Sequence, residues 1–111
     1  SREVVQAHPE LILGQLTLGE ALLAQGRTEE ALEPLKTART GSPGLSRAYL
    51  LEGQALASLG RWAEAREVLE VGARIDPWSG AMQLELARVY EMLGEADRAA
   101  HAYRRASQLG L

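Results

Sequence analysis

"LGRWAEAREVLEVGARIDP", Leu59 to Pro77, decides the fold. After Gly60 comes an aromatic, and from Trp62 onward Ala65, Val68, Leu69 and Gly72 recur at spacings of 3 and 4. That spacing is one stripe of an α-helix and predicts a helix over 62–75. Arg66, Glu67, Glu70 and Arg74 fall off the stripe, with Arg66–Glu70 and Glu70–Arg74 spaced for i,i+4 pairing. Pro77 cannot continue a helix and disfavours helical geometry at Asp76. At the other end Gly60 suits the left-handed residue that closes a preceding helix. That preceding segment, Ala48 to Leu59, is apolar nearly all round, so it must be contacted on more than one side.

The same order of residues occurs twice more. "QGRTEEALEPLKTARTGSP" starts at Gln25 and "LGEADRAAHAYRRASQLGL" at Leu93, each 34 residues after the last. Gly26, Gly60 and Gly94 align, as do Ala31, Ala65 and Ala99, then Leu35, Leu69 and Tyr103, then Ala38, Gly72 and Ala106. Gly19, Gly53 and Ala87 align upstream, and Pro9, Pro43 and Pro77 share the period. Six columns matched in size and chemistry establish a repeat of two helices per copy. Small residues at 53, 65 and 72 mark where helix backbones approach closely, since larger side chains there would overpack the pair. "TEEA" from Thr28 reads as an N-cap followed by acidic first-turn residues.

A chain of 111 residues, 46 % apolar and 24 % charged, has ordinary globular composition and suffices for one domain. Net charge is −3, so nothing predicts the basic patch a nucleic acid requires. Cysteine is absent, which removes disulfides, thiolate metal sites and cysteine nucleophiles. No apolar run is long enough to span a membrane, so no membrane insertion of these residues is expected.

Period and columns resemble the tetratricopeptide repeat, a 34-residue helix–turn–helix unit. The resemblance covers three copies, 12–45, 46–79 and 80–111, and implies an all-α, right-handed α-solenoid of stacked antiparallel pairs, with residues 1–11 as the tail of a preceding repeat and a linker. Departures are Gln15 and Gln83 where the family favours an aromatic, Glu52 where leucine is usual, and Pro34 inside a second helix, where a bend without a break is expected. Glu3 to Pro9 fits the end of an earlier second helix. At the other end Tyr103, Ala106 and Leu109 are expected to be partly bare, which suggests a segment of a longer array or self-association.

By the same resemblance, a partner peptide or helix is expected along a concave face of first helices. The implied contacts are Leu13, Leu16, Thr17 and Glu20 in copy one; Arg47, Leu50, Leu51 and Gln54 in copy two; and Leu84, Glu85, Arg88 and Glu91 in copy three. Leu16, Glu20, Leu23 and Leu50, Gln54, Ala57 each step by 4 then 3, away from the face carrying Gly19 and Gly53. These leucines serve equally as contacts between adjacent repeats. The family's clamp for acidic carboxyl-terminal tails is absent: its positions hold Leu16, Glu20, Leu51, Ala81 and Glu85, with no matching Lys, Asn or Arg. His8 and His101 stand in different copies at opposite ends, no phosphate-loop motif occurs, and the carboxylates are scattered. The expectation is a non-catalytic protein-interaction scaffold without cofactor or metal; the alternative is a regulatory or self-association module of a larger enzyme or of a bacterial secretion or envelope assembly. A cytoplasmic location is the first expectation and a periplasmic one the second.

Overall fold

A computed structural model describes residues 9–111. The elements are α1 (Pro9–Ala24), α2 (Thr28–Gly41), α3 (Ser46–Ser58), α4 (Trp62–Ile75), α5 (Gly80–Met92) and α6 (Ala96–Gln108), and among the described residues all regular structure is helical. Consecutive helices form the pairs α1–α2, α3–α4 and α5–α6, and the pairs stack through α2 on α3 and α4 on α5. The result is a helical solenoid segment measuring 45 × 26 × 24 Å.

Each pair turns on its glycine. Gly26, Gly60 and Gly94 adopt φ of 79°, 78° and 80°, the left-handed region that costs glycine least. Around Gly60 the backbone makes both bonds of a Schellman motif, Gly60 N–H to Ala57 O at 3.0 Å and Arg61 N–H to Leu56 O at 2.9 Å. Arg61 then begins the next helix at once, its carbonyl accepting from Ala65 N at 3.0 Å. Arg27 and Glu95 repeat the arrangement. The residue after the glycine thus closes one helix and opens the next. For this reason the N-cap of α2 is Arg27, without a side-chain bond, and Thr28 lies inside the helix, correcting the expected cap. Of α2 to α6, only α5 has a side-chain cap, Ser79 Oγ accepting from Met82 N at 3.1 Å.

The small columns do the packing expected of them, with one refinement. A Cβ on Gly53 would collide with the side chain of Leu69, and one on Gly19 with Leu35, so each leucine of the second helix enters a notch in the first. Both leucines are fully buried. In copy three Ala87 fills the notch with its own methyl, and Tyr103, in the leucine column, turns outward and is 36 % exposed. Gly72 serves two neighbours: a Cβ there would lie 2.9 Å from Tyr49 Cβ and 2.8 Å from Met82 Cε. That position joins a pair to the next repeat.

Several expectations need correction. Residues 9–11 belong to α1, where proline suits the first helical position because no N–H is required there. The remainder of the expected preceding tail, including His8, lies outside the described residues. Ala106 is buried, and the end of the chain folds back so that Leu109 and Leu111 lie against Gly80 at the start of α5. Pro34, by contrast, is buried within an α2 that runs without a break, as expected. The expected pairs within α4 give way to contacts across repeats: Arg66 Nη1 bonds Glu95 at 2.6 Å, and Tyr90 OH donates to Glu70 at 2.7 Å. Glu52, the buried carboxylate at the first junction, accepts from Arg39 Nε at 2.5 Å and Nη2 at 3.2 Å. Arg39 also lies over the Tyr49 ring, 5.8 Å from its centroid, and Tyr49 OH donates to Pro43 O at 2.8 Å.

Candidate functional site

The first helices α1, α3 and α5 stand side by side, with α1 touching α3 and α3 touching α5. Stacking of repeats leaves their outward stripes uncovered, and most of the predicted contact residues fall there. Leu13, Thr17, Arg47, Arg88 and Glu91 are exposed, while Glu20, Leu50, Gln54, Leu84 and Glu85 are half-buried. Leu16 and Leu51 are not available. They are 8 % and 7 % exposed within the core cluster of Ile12, Leu35 and Ala48, so these two fill the contact between repeats and drop out of the surface.

Polar rungs tie the face together. Arg47 bonds Glu20 from α3 to α1, Nε at 2.7 Å and Nη2 at 2.6 Å. Gln54 Nε2 donates to Glu85 Oε2 at 3.2 Å from α3 to α5, and Arg88 Nη1 reaches the same oxygen at 3.4 Å. Tyr103 OH donates to Glu91 Oε1 at 2.7 Å, a bond that holds the phenol above its ordinary pKa because it favours the protonated form. Exposed ion pairs of this kind contribute little stability. They fix side-chain directions instead.

At the end of the face formed by α3 and α5 lies a depression of about 590 Å³, bordered by Gln54, Ala57, Ser58, Trp62, Glu85, Arg88, Glu91 and Met92. Trp62 comes from α4, where its spacing assigns it only to that helix's packing stripe. Its position beside the α3–α4 turn, one residue after Arg61, was the available signal. Met92 is 59 % exposed, an adaptable apolar surface beside the Trp62 ring. The arrangement offers apolar contact bordered by alternating charges, suited to a peptide or helix. His101 is exposed on α6, and among the described residues no group of three His, Asp or Glu side chains is placed to hold a metal ion. None of the described helices is long and apolar enough to cross a membrane.

Antiparallel helix pairs at a 34-residue period, crossing through glycine and alanine and leaving the first helices open on one side, define the class of helical-repeat solenoids. The sequence profile described as Tetratricopeptide repeat matches residues 22–77, and the chain belongs to that family. Its members generally act as non-catalytic protein-interaction modules. Among curated relatives, Protein STIP1 homolog of Dictyostelium discoideum is 44 % identical over 57 residues, covering 51 % of this chain and 10 % of that protein. Among solved structures, MamA (MSR-1) superposes with a TM-score of 0.81 at 24 % identity, over 91 % of this chain and 58 % of that one. The first tetratricopeptide domain of Spaghetti (RPAP3), bound to the HSP90 peptide SRMEEVD, gives a TM-score of 0.91 at 15 % identity, over 95 % and 83 % of the two chains. The chain thus spans a tenth of that curated relative and little more than half of MamA. At these identities the two structural likenesses carry the fold alone.

Proposed function

We propose that the chain is a protein-interaction scaffold that holds a partner's peptide or helix against the face of α1, α3 and α5 and performs no chemistry itself. One observation carries this reading. Three neighbouring helices present a continuous surface whose side chains are braced by rungs from Glu20–Arg47 to Gln54–Glu85–Arg88, with the Trp62–Met92 depression at its end. A braced surface loses less rotamer freedom when a ligand docks. Glu20 stands where the family's clamp for acidic tails has an asparagine and Glu85 where it has a cation, so the ligand favoured here is not an acidic carboxyl terminus. Affinity capture with the wild-type chain beside a Leu50→Glu, Arg88→Glu double variant tests the reading, and loss of partners from the variant is the expected result. A second reading, self-association through the α1 end, is favoured by Leu11 and Leu18, which are 60 % and 44 % exposed. Light scattering at high micromolar concentration separates the two: a strict monomer removes the second.

A further inference from the structure

The two junctions between repeats differ on the side opposite the proposed ligand face. Across α3, between α2 and α4, Arg39 and Glu52 fill the space with their ion pair beside Tyr49, and a cleft of about 290 Å³ remains. Thirty-four residues on, the same three columns hold Ala73, Leu86 and Gln83. Truncating the arginine column to alanine opens the second cleft, between α4 and α6 across α5, to about 630 Å³.

Its rim also differs in charge, with Lys36 of the first cleft giving way to Glu70 and two acidic positions losing their negative charge. Glu64 and Glu67 border the first cleft, and their counterparts on the second are Arg98 and His101. Arg98, His101 and Arg105 are spaced by 3 and 4 along α6, one helical stripe turned to the cleft, and Arg74 faces them from α4. Two carboxylates, Glu70 and Asp97, stand among three guanidiniums, and Glu70 is already engaged by Tyr90 OH at 2.7 Å. Arg98 gives Glu95 one bond at 3.3 Å, and Arg105 gives one to Pro77 O at 3.1 Å and one to Gln108 Oε1 at 3.4 Å, which leaves at least three of the five donors of each guanidinium unused. The cleft lining carries one more guanidinium than carboxylate, on a chain whose net charge is −3.

We infer that this α4–α6 groove is a second docking surface, and that it takes an acidic segment of a partner protein, its carboxylates paired with Arg74, Arg98 and Arg105 and one aliphatic side chain over Ala73 and Ala102. Charge complementarity selects the occupant. The inference is independent of the ligand face on α1, α3 and α5, where Glu20 and Glu85 disfavour the same segment.

The probe is a fluorescein-labelled acetyl-Glu-Glu-Leu-Asp-Glu-Leu-Glu-Glu peptide, titrated into the 111-residue chain by anisotropy and by ¹⁵N NMR. Amide signals of Ala73, Arg98, His101, Ala102 and Arg105 are expected to move, and binding is expected to weaken at about 0.5 M NaCl, where charges beyond a few ångströms are screened. Arg98→Glu with Arg105→Glu, both away from the buried core, is expected to weaken binding at least about tenfold. Leu50→Glu with Arg88→Glu is expected to leave it unchanged. Ala73→Arg with Leu86→Glu, which copies the filled junction, is expected to reduce binding while keeping the cationic rim. The inference is overturned if no groove signal moves at millimolar peptide, if a lysine-for-acid peptide binds equally, or if the α6 variant binds as wild type. Tighter retention of a short DNA duplex than of the peptide at equal salt likewise overturns it, by assigning the groove to phosphate backbones.

Discussion

Replacing Gly72 with alanine sets two effects of similar size against each other, and the structure decides which wins. Alanine is favoured over glycine in a helix interior by about 1 kcal/mol. The added Cβ would sit 2.9 Å from Tyr49 Cβ and 2.8 Å from Met82 Cε, against an ordinary carbon–carbon separation of about 3.5–4.0 Å. Met82 can rotate its terminal methyl away. Tyr49 Cβ cannot, because it is fixed to the α3 backbone, so α3 and α4 must separate by roughly half an ångström at a fully buried crossing. Overpacking of this kind costs about 1–3 kcal/mol, leaving a net loss of about 1 kcal/mol and a fall in Tm of roughly 4–6 °C for a chain of this size. Gly14→Ala is the control: no described atom lies within 4 Å of its added Cβ, so only the helical gain of about 1 kcal/mol remains. Urea and thermal unfolding followed by circular dichroism should move in opposite directions for the two variants. If Gly72→Ala raises Tm as much as Gly14→Ala does, the close approach at the repeat junction is wrong.

Three further outcomes follow from the same contacts. Glu52→Ala strands Arg39 and should cost about 3 kcal/mol in urea unfolding, whereas Arg39→Ala with Glu52→Leu, which copies Ala73 and Leu86, should lie within about 1 kcal/mol of wild type; equal losses would show that the ion pair is not the cause. Burial and then the Glu70 bond push the Tyr90 phenol up to about 12, above its unfolded value near 10, so its stabilisation is complete below pH 10 and is lost as pH rises toward 12. Tyr90→Phe should flatten that part of the stability–pH curve, and an unchanged slope would place the effect elsewhere. A peptide ending in free Glu-Glu-Val-Asp should leave the amide signals of Glu20, Leu51, Ala81 and Glu85 unmoved, and clear shifts there would restore a clamp that the side chains lack.

What could be read in advance follows from which physics is local. Gly26, Gly60 and Gly94 announce their turns because a left-handed residue is a property of one position. The Gly53–Leu69 notch is legible as small residues at helical spacing, although spacing alone does not show that a leucine enters the glycine. Thr28 misled because a Schellman turn running straight into the next helix uses Arg27 twice and leaves no separate capping site. On the proposed ligand face, Leu13 and Leu16 look alike in sequence, yet one is 54 % and the other 8 % exposed, since burial there depends on how α2 and α3 stack. Arg66 and Glu70 had intrahelical partners by spacing, and the nearer partners, Glu95 and Tyr90, arrive only with the next repeat. The α4–α6 groove was out of reach for a related reason. An alanine at 73 is an ordinary helix residue until the column is compared with Arg39 and the space it fills.

Capture from a native extract with three baits, the wild-type chain, Leu50→Glu/Arg88→Glu and Arg98→Glu/Arg105→Glu, tests the scaffold most directly when the recovered proteins are quantified side by side. Partners held against α1, α3 and α5 should disappear from the first variant and persist on the second. Recovery of the same partners in the same amounts by wild type and Leu50→Glu/Arg88→Glu would contradict the account.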